Sequence, residues 1–266
     1  MGDPRDARTA PRQFGAELAR SLDADAALLP YLPALLADLE ELGARSADLI
    51  ELLRPAGLDS GSRVLDLGCG KGAQARALAR EFGCRVDGVD GIPAFVDYAT
   101  RHAADAGLAA QCRFRQGDVR RVVRRARGYD VVCMLALGDL FGDAAETIGV
   151  LRECARPGGL VVLDDAFLRD GVPRPETLVH CFDHATTLAL LQSHGDRVIG
   201  EIRSDGVADA AEYRAMTAAI AARAGELAVR HPFDAELLAN YVAQQRAEVA
   251  LLEGPVVGAV WLLQRA

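Results

Sequence analysis

Asp66, Asp90 and Asp118 each stand within two residues of a glycine and at the end of a strand-like run. Asp66 belongs to Arg63-Val64-Leu65-Asp66-Leu67-Gly68-Cys69-Gly70-Lys71-Gly72, in which a buried strand feeds a loop with glycines at alternate positions. Such a loop lets the backbone approach a ligand where a side chain would clash, and a carboxylate just before it suits a ligand that carries positive charge. Further along come Asp139 and Asp143 in Gly138-Asp139-Leu140-Phe141-Gly142-Asp143, then Asp164 and Asp165. These, with His180 and His184, are the side chains able to take a proton from a reacting group. The two histidines lie four apart and would share a face if that stretch were helical. They lack the Glu of His-Glu-x-x-His and a clear third ligand, so no metal is expected.

The elements that must position these residues alternate. Ala73 to Phe82 continues from the glycine loop at helical spacing, and Gly83 stops it. A second strand runs from Cys84 to Asp90 and a helix from Pro93 to about Ala106. The third strand covers Cys112 to Arg115, the fourth Asp130 to Leu135, and a helix spans about Ala144 to Ala155. Pro157-Gly158-Gly159 turns into a fifth strand, Leu160 to Asp164. This alternation predicts right-handed crossovers and a mostly parallel, doubly wound sheet.

Both flanks are helical. Residues 1–13 read as a mobile tail and 14–56 as a helical segment, with Leu32, Leu35, Leu36, Leu39 and Leu42 at helical steps up to Gly43. Ser46 is the expected cap of a further helix through Leu53. Beyond the fifth strand, Asp183 caps a helix to His194, and Arg197 to Arg203 is a strand. Helices over Ala208–Arg230 and Asp234–Leu252 follow, and Val256 to Leu263 closes the chain as a strand. The expected division is therefore an α/β core over 57–206 and 254–266, with 14–56 and the insertion 207–253 forming a helical cap over the strand ends. Tyr31, Tyr213, Tyr241 and Gln245 are candidates to line the enclosed pocket.

With 266 residues, half of them hydrophobic, the chain can bury a sizeable core. Its net charge of -8 argues against general affinity for nucleic acid or anionic membrane. The run Arg120, Arg121, Arg124, Arg125, Arg127 has no interleaved aromatic residues and reads as a solvated face, with Val122 and Val123 turned inward. No segment approaches the roughly 20 apolar residues that span a bilayer, and no signal-peptide core is present, so a cytoplasmic setting is expected. Six scattered cysteines without a Cys-x-x-Cys pair read as reduced structural thiols. Lys71, inside the glycine loop, is the one lysine of the chain.

Asp66 with the tight Gly-x-Gly-x-Gly spacing resembles the first motif of class I S-adenosylmethionine-dependent methyltransferases. Tyr129-Asp130-Val131-Val132 and Arg156-Pro157-Gly158-Gly159 resemble that family's fourth-strand opening and the turn before its fifth strand. The likeness is close over about Leu58 to Phe167. It implies a Rossmann-like, seven-stranded, mostly parallel sheet with an antiparallel last strand. It also implies a site for S-adenosyl-L-methionine, with S-adenosyl-L-homocysteine as product. Gly68, Cys69, Gly70, Lys71 and Gly72 would line its methionine part, Asp66 would organise its amino group, and Asp90 with Gly91 would meet the ribose. Asp118 and the Val119 N–H would meet the adenine, and Leu135 would border the cofactor. A dinucleotide oxidoreductase would instead show Gly-x-Gly-x-x-Gly and no carboxylate before the loop.

Methyl transfer is an in-line displacement, so the protein mainly aligns the nucleophile and needs a base only for a protonated one. Asp139 is the first candidate to face the transferred methyl, followed by His180 and His184. The implied function is methyl transfer to a small-molecule acceptor, with a homodimer allowed for. The alternatives are a protein or RNA acceptor, although Asn-Pro-Pro-Tyr is absent, or a cofactor-binding protein without methyl transfer or with a modified cofactor.

Overall fold

The computed structural model describes residues 26–266. The expected tail 1–13 and the first part of the 14–56 segment lie outside these residues. The described chain opens with a short helix α1 (Leu32–Leu35) and α2 (Ser46–Leu53). The alternating region is β1 (Arg63–Leu67), α3 (Ala73–Phe82), β2 (Arg85–Asp90), α4 (Pro93–Asp105), β3 (Cys112–Gln116) and α5 (Val119–Val122). It continues through β4 (Tyr129–Met134), α6 (Ala144–Leu151), β5 (Ala155–Leu168), α7 (His184–Leu191) and β6 (Arg197–Ser204). Helices α8 (Val207–Arg230) and α9 (Ala235–Glu253) precede the final strand β7 (Val256–Gln264).

These elements form two compact units. One joins residues 26–39 with Val207–Ala250; the other joins Glu40–Gly206 with Leu251–Ala266. The sheet unit holds one seven-stranded sheet in the order β3-β2-β1-β4-β5-β7-β6. The β1–β5 pairs are all parallel, whereas β7 runs antiparallel to both β5 and β6. The order reverses between β1 and β4, which is the switch point where open sheets of this type receive ligands.

Alternation along each strand divides the core in two. Leu65, Leu67, Val132, Met134, Val161, Leu163 and Trp261 face α6, whose Ile148 and Leu151 are fully buried. Val64, Val131, Cys133, Val162 and Leu262 share the other face with Leu49 and Leu53 of α2 and Leu78 of α3. Segment 40–56 thus belongs with the sheet and not with a separate cap, because α2 supplies core residues to it.

Three other expectations change. The helical run from Leu32 stops at Leu35 and gives way to turns and an irregular stretch. Strand β5 is longer than Leu160–Asp164, since antiparallel pairing with β7 carries it on to Leu168 and the Tyr129–Ala155 pairing draws in Pro157-Gly158-Gly159 across a bulge. The helix after β4 ends at Leu151, not near Ala155, because Ala155 already pairs in the sheet.

In the helical unit, Leu28, Leu32, Leu35, Ile220, Leu227 and Leu238 are buried. Tyr31 donates to Asp234 Oδ2 at 2.7 Å and stands edge-on to His231, while Arg223 pairs with both Asp38 oxygens. Among the described residues no helix is long and apolar enough to cross a membrane. All six cysteines are free thiols.

Candidate active site

The glycine loop leaves β1 at the switch point. Gly68, Gly70 and Gly72 all have positive φ, at 74°, 49° and 71°. The Gly68 and Cys69 N–H groups donate to the Val89 carbonyl at 2.8 and 3.0 Å, which pins the loop across the end of β2. A Cβ on Gly72 would lie 2.7 Å from Phe114 and 2.8 Å from Ala99, so the turn into α3 has no room for a side chain.

Asp66 lies in β1 beside Gly88 of β2 and Cys133 of β4, and is 2% exposed. Neither of its carboxylate oxygens has a hydrogen-bond partner. Burial first, and the Asp90 charge second, push its carboxyl up to about 7. A buried, unpartnered carboxylate is costly unless a cation arrives to meet it, so this position fits a ligand bearing an ammonium or sulfonium group.

Asp90, at the end of β2, holds the loop. Its Oδ2 accepts from the Gly70 N–H and its Oδ1 from the Ile92 N–H, both at 2.8 Å. A carboxylate offers about four acceptor positions, so Asp90 keeps capacity for a ligand hydroxyl beyond these N–H donors. Burial raises the Asp90 carboxyl, and the N–H donors of Ile92, Gly70 and Gly91 oppose that rise. Gly91 and Leu135 are buried at the ends of β2 and β4, and buried Cys69 has its thiol pushed well up by burial and by both carboxylates.

Asp118 caps α5. Its Oδ1 accepts from the Arg120 N–H at 2.9 Å and from Arg120 Nε at 3.1 Å. Its Oδ2 is met only at 3.7 Å, by the exposed Arg121. Val122 and Val123 are buried beneath the arginine run, in the inward orientation expected, and Val119 is buried with them.

The proton-taking candidates separate. Asp139 lies exposed in the turns after β4, where it acts electrostatically on Asp165. Asp165 is pushed up to about 6, mainly by burial. Asp143 caps α6 in a reciprocal capping box with Glu146. Asp164 is pushed up to about 7 by burial, and its Oδ2 accepts the Ala44 N–H at 2.8 Å. His180 and His184 do not share a helix face, because His180 lies in an exposed turn and α7 begins at His184. Nε2 of His184 lies 2.8 Å from Glu201 Oε2, which also accepts from Trp261 Nε1 at 3.1 Å, and its ring packs on Phe167. His184 is thus engaged with β5 and β6. Among the described residues no group of three His, Cys, Asp or Glu could hold a metal ion.

Residues missed in the sequence are Glu40, Gln74 and Arg76. Gln74 and Arg76 are buried polar groups in the first turn of α3, where apolar residues would ordinarily sit. Their polarity at helix positions facing the core is the signal that could have found them.

Residues 64–159 match the family model described as a methyltransferase domain. This stretch of the sheet unit is similar to a methyltransferase domain. The matching segment runs from β1 into β5 and includes the glycine loop, Asp66, Asp90 and Asp118. A ubiquinone biosynthesis O-methyltransferase from Methylocella silvestris is 34% identical over 101 residues, which is 38% of each chain. The chain therefore matches well under half the length of that curated relative. An S-adenosylhomocysteine-bound methyltransferase from Geobacter sulfurreducens has the same fold, with a TM-score of 0.76 and 20% identity, covering 89% of this chain and 98% of the other. The [4+2]-cyclase SpnF also has this fold, with a TM-score of 0.65 and 18% identity over 90% of this chain and 92% of its own.

Proposed function

We propose that this protein transfers a methyl group from S-adenosyl-L-methionine to a small-molecule acceptor. The observation that carries the reading is Asp66, buried beneath the glycine loop with both oxygens unpartnered. Asp66 would receive the cofactor's ammonium, and Gly68, Cys69, Gly70, Lys71 and Gly72 would line its amino-acid part. Asp90 and Gly91 would take the ribose, the second oxygen of Asp118 and the Val119 N–H the adenine, and Leu135 an apolar contact. When bound, the cofactor supplies a methyl carbon made electrophilic by a positively charged sulfur.

The chain's own work is then to hold the acceptor in line and, for a protonated acceptor, to take its proton. We assign the acceptor side to Asp139 with Asp165 beside it. A carboxyl near 6 is close to the operating range a general base needs, and Asp165 has that property. Whether the acceptor atom is oxygen, nitrogen, carbon or sulfur is decided by the substrate screen. The net charge of -8 supports a small molecule over a nucleic acid, and six free thiols fit a cytoplasmic setting.

The fold is shared with a protein named as a cyclase, so the second reading is a cofactor-binding protein without methyl transfer. Mass spectrometry of small molecules released by denaturing the purified protein separates the two when joined to a screen with methyl-labelled cofactor. Release of S-adenosylmethionine or S-adenosylhomocysteine and label on an acceptor is the expected result. Binding without transfer to any acceptor would favour the second reading, and failure to bind either molecule would refute both.

A further inference from the structure

Glu40–Ala44 has neither helix nor strand structure, and its five residues donate and accept no backbone–backbone hydrogen bonds. It nevertheless lies on the glycine loop, the end of β4 and Asp164 of β5. Leu42 Cδ1 comes within 3.2 Å of where a Cβ of Gly70 would stand, and a Cβ on Gly43 would meet Ala136 and Leu135 at 3.2 and 3.3 Å. Side chains of the surrounding elements fasten it. The Ala44 N–H donates to Asp164 within β5, and the Ala44 carbonyl accepts from buried Gln74 Nε2 of α3 at 2.9 Å. Glu40 receives Arg76 Nη2 from α3 on one oxygen and the Tyr98 hydroxyl from α4 on the other, the latter at 2.8 Å.

A segment without its own hydrogen-bond ladder opens at the free energy of its few fastenings, below that of the whole fold. It is therefore the part of this wall that can move while the sheet stays intact. We propose that Glu40–Ala44 is a latch across the glycine loop, and that Asp164, Gln74, Arg76 and Tyr98 are positioning residues that set how often it opens to admit and release the cofactor. The proposal rests on the cofactor reading given above. None of the four is assigned to touch the cofactor; they act through the strap.

The test uses Gln74→Leu and Tyr98→Phe, changes on two different helices that keep the apolar bulk of each side chain. Two readouts are taken on the full chain: hydrogen exchange of the Ala44 amide, the strap N–H that has an acceptor, without ligand, and stopped-flow association and dissociation of S-adenosylhomocysteine. Each lost hydrogen bond is expected to speed exchange by up to about tenfold. Both rate constants should rise in step, leaving Kd within about threefold, because the same opening serves entry and exit. A rise in dissociation alone would overturn the latch and make the strap a contact surface. Faster exchange with unchanged binding rates would also overturn it, as would an Ala44 amide unprotected in the wild type. Failure of the wild type to bind would overturn the cofactor reading itself, with wild-type strap protection showing whether the fastening stands apart from it.

Discussion

Asp66 is a residue whose stability and function pull in opposite directions. Its carboxyl rises to about 7 in the folded chain, above the usual carboxylate value near 3.9, so the folded state binds more protons across that interval. Its contribution is therefore fully favourable below about pH 4 and is lost as pH climbs through 7, where a buried charge is left unpaired. Asp66→Asn should stabilise the ligand-free protein at pH 8 by about 2 kcal/mol, a gain shrinking toward pH 4, as read by urea unfolding at both pH values. The same variant should lose most affinity for S-adenosylhomocysteine in calorimetry. Asp143 behaves in the ordinary way: Asp143→Ala removes a capping box and should cost about 1 kcal/mol by urea unfolding, with little effect on binding. Asp66, Asp90 and Asp118 were legible in the sequence because strand ends and glycines mark them locally. The engagement of His184 with Glu201 was not, since its partner lies in the next element, 17 residues on.

At the scale of elements, the helix and strand order followed from periodicity, and the errors fall where tertiary pairing decides. Strand β5 extends to Leu168 only because β7 returns beside it, and no local pattern at Phe167 announces a partner about ninety residues on. The run of leucines after Leu32 read as one helix because period alone cannot show that Gln74, Arg76 and Asp164 draw 40–44 into an irregular path. The junction of loop and helix makes a sharp prediction. Gly72→Ala combines a left-handed backbone with overlap against Phe114 and Ala99, and should destabilise by about 2–4 kcal/mol, measured by chemical denaturation. A loss under 0.5 kcal/mol would mean that α3 can shift away from β3 more freely than the packing indicates.

For the whole molecule, the orphaned carboxylate couples ligand binding to protons. A ligand ammonium pairs with ionised Asp66, so binding below pH 7 expels a proton and affinity rises with pH until the carboxyl is already ionised. S-adenosylhomocysteine should consequently raise the melting temperature more at pH 7.5 than at pH 5.5, by scanning calorimetry at fixed ligand concentration. The Asp66→Asn protein should show no such difference. An equal shift at both pH values in the wild type would place the ligand's charge away from Asp66.

Lys71 is the single lysine of the chain and is 4% exposed, its ammonium 5.1 Å from the centre of the Tyr98 ring. An amine-reactive reagent used at a pH that distinguishes side-chain from terminal amines therefore has one internal target, and that target is the glycine loop. Acylation of this one site, followed by intact-mass measurement, turns the protein into its own occupancy meter. The half-life of labelling counts the moments when the loop is uncovered, with no dye, tag or engineered cysteine.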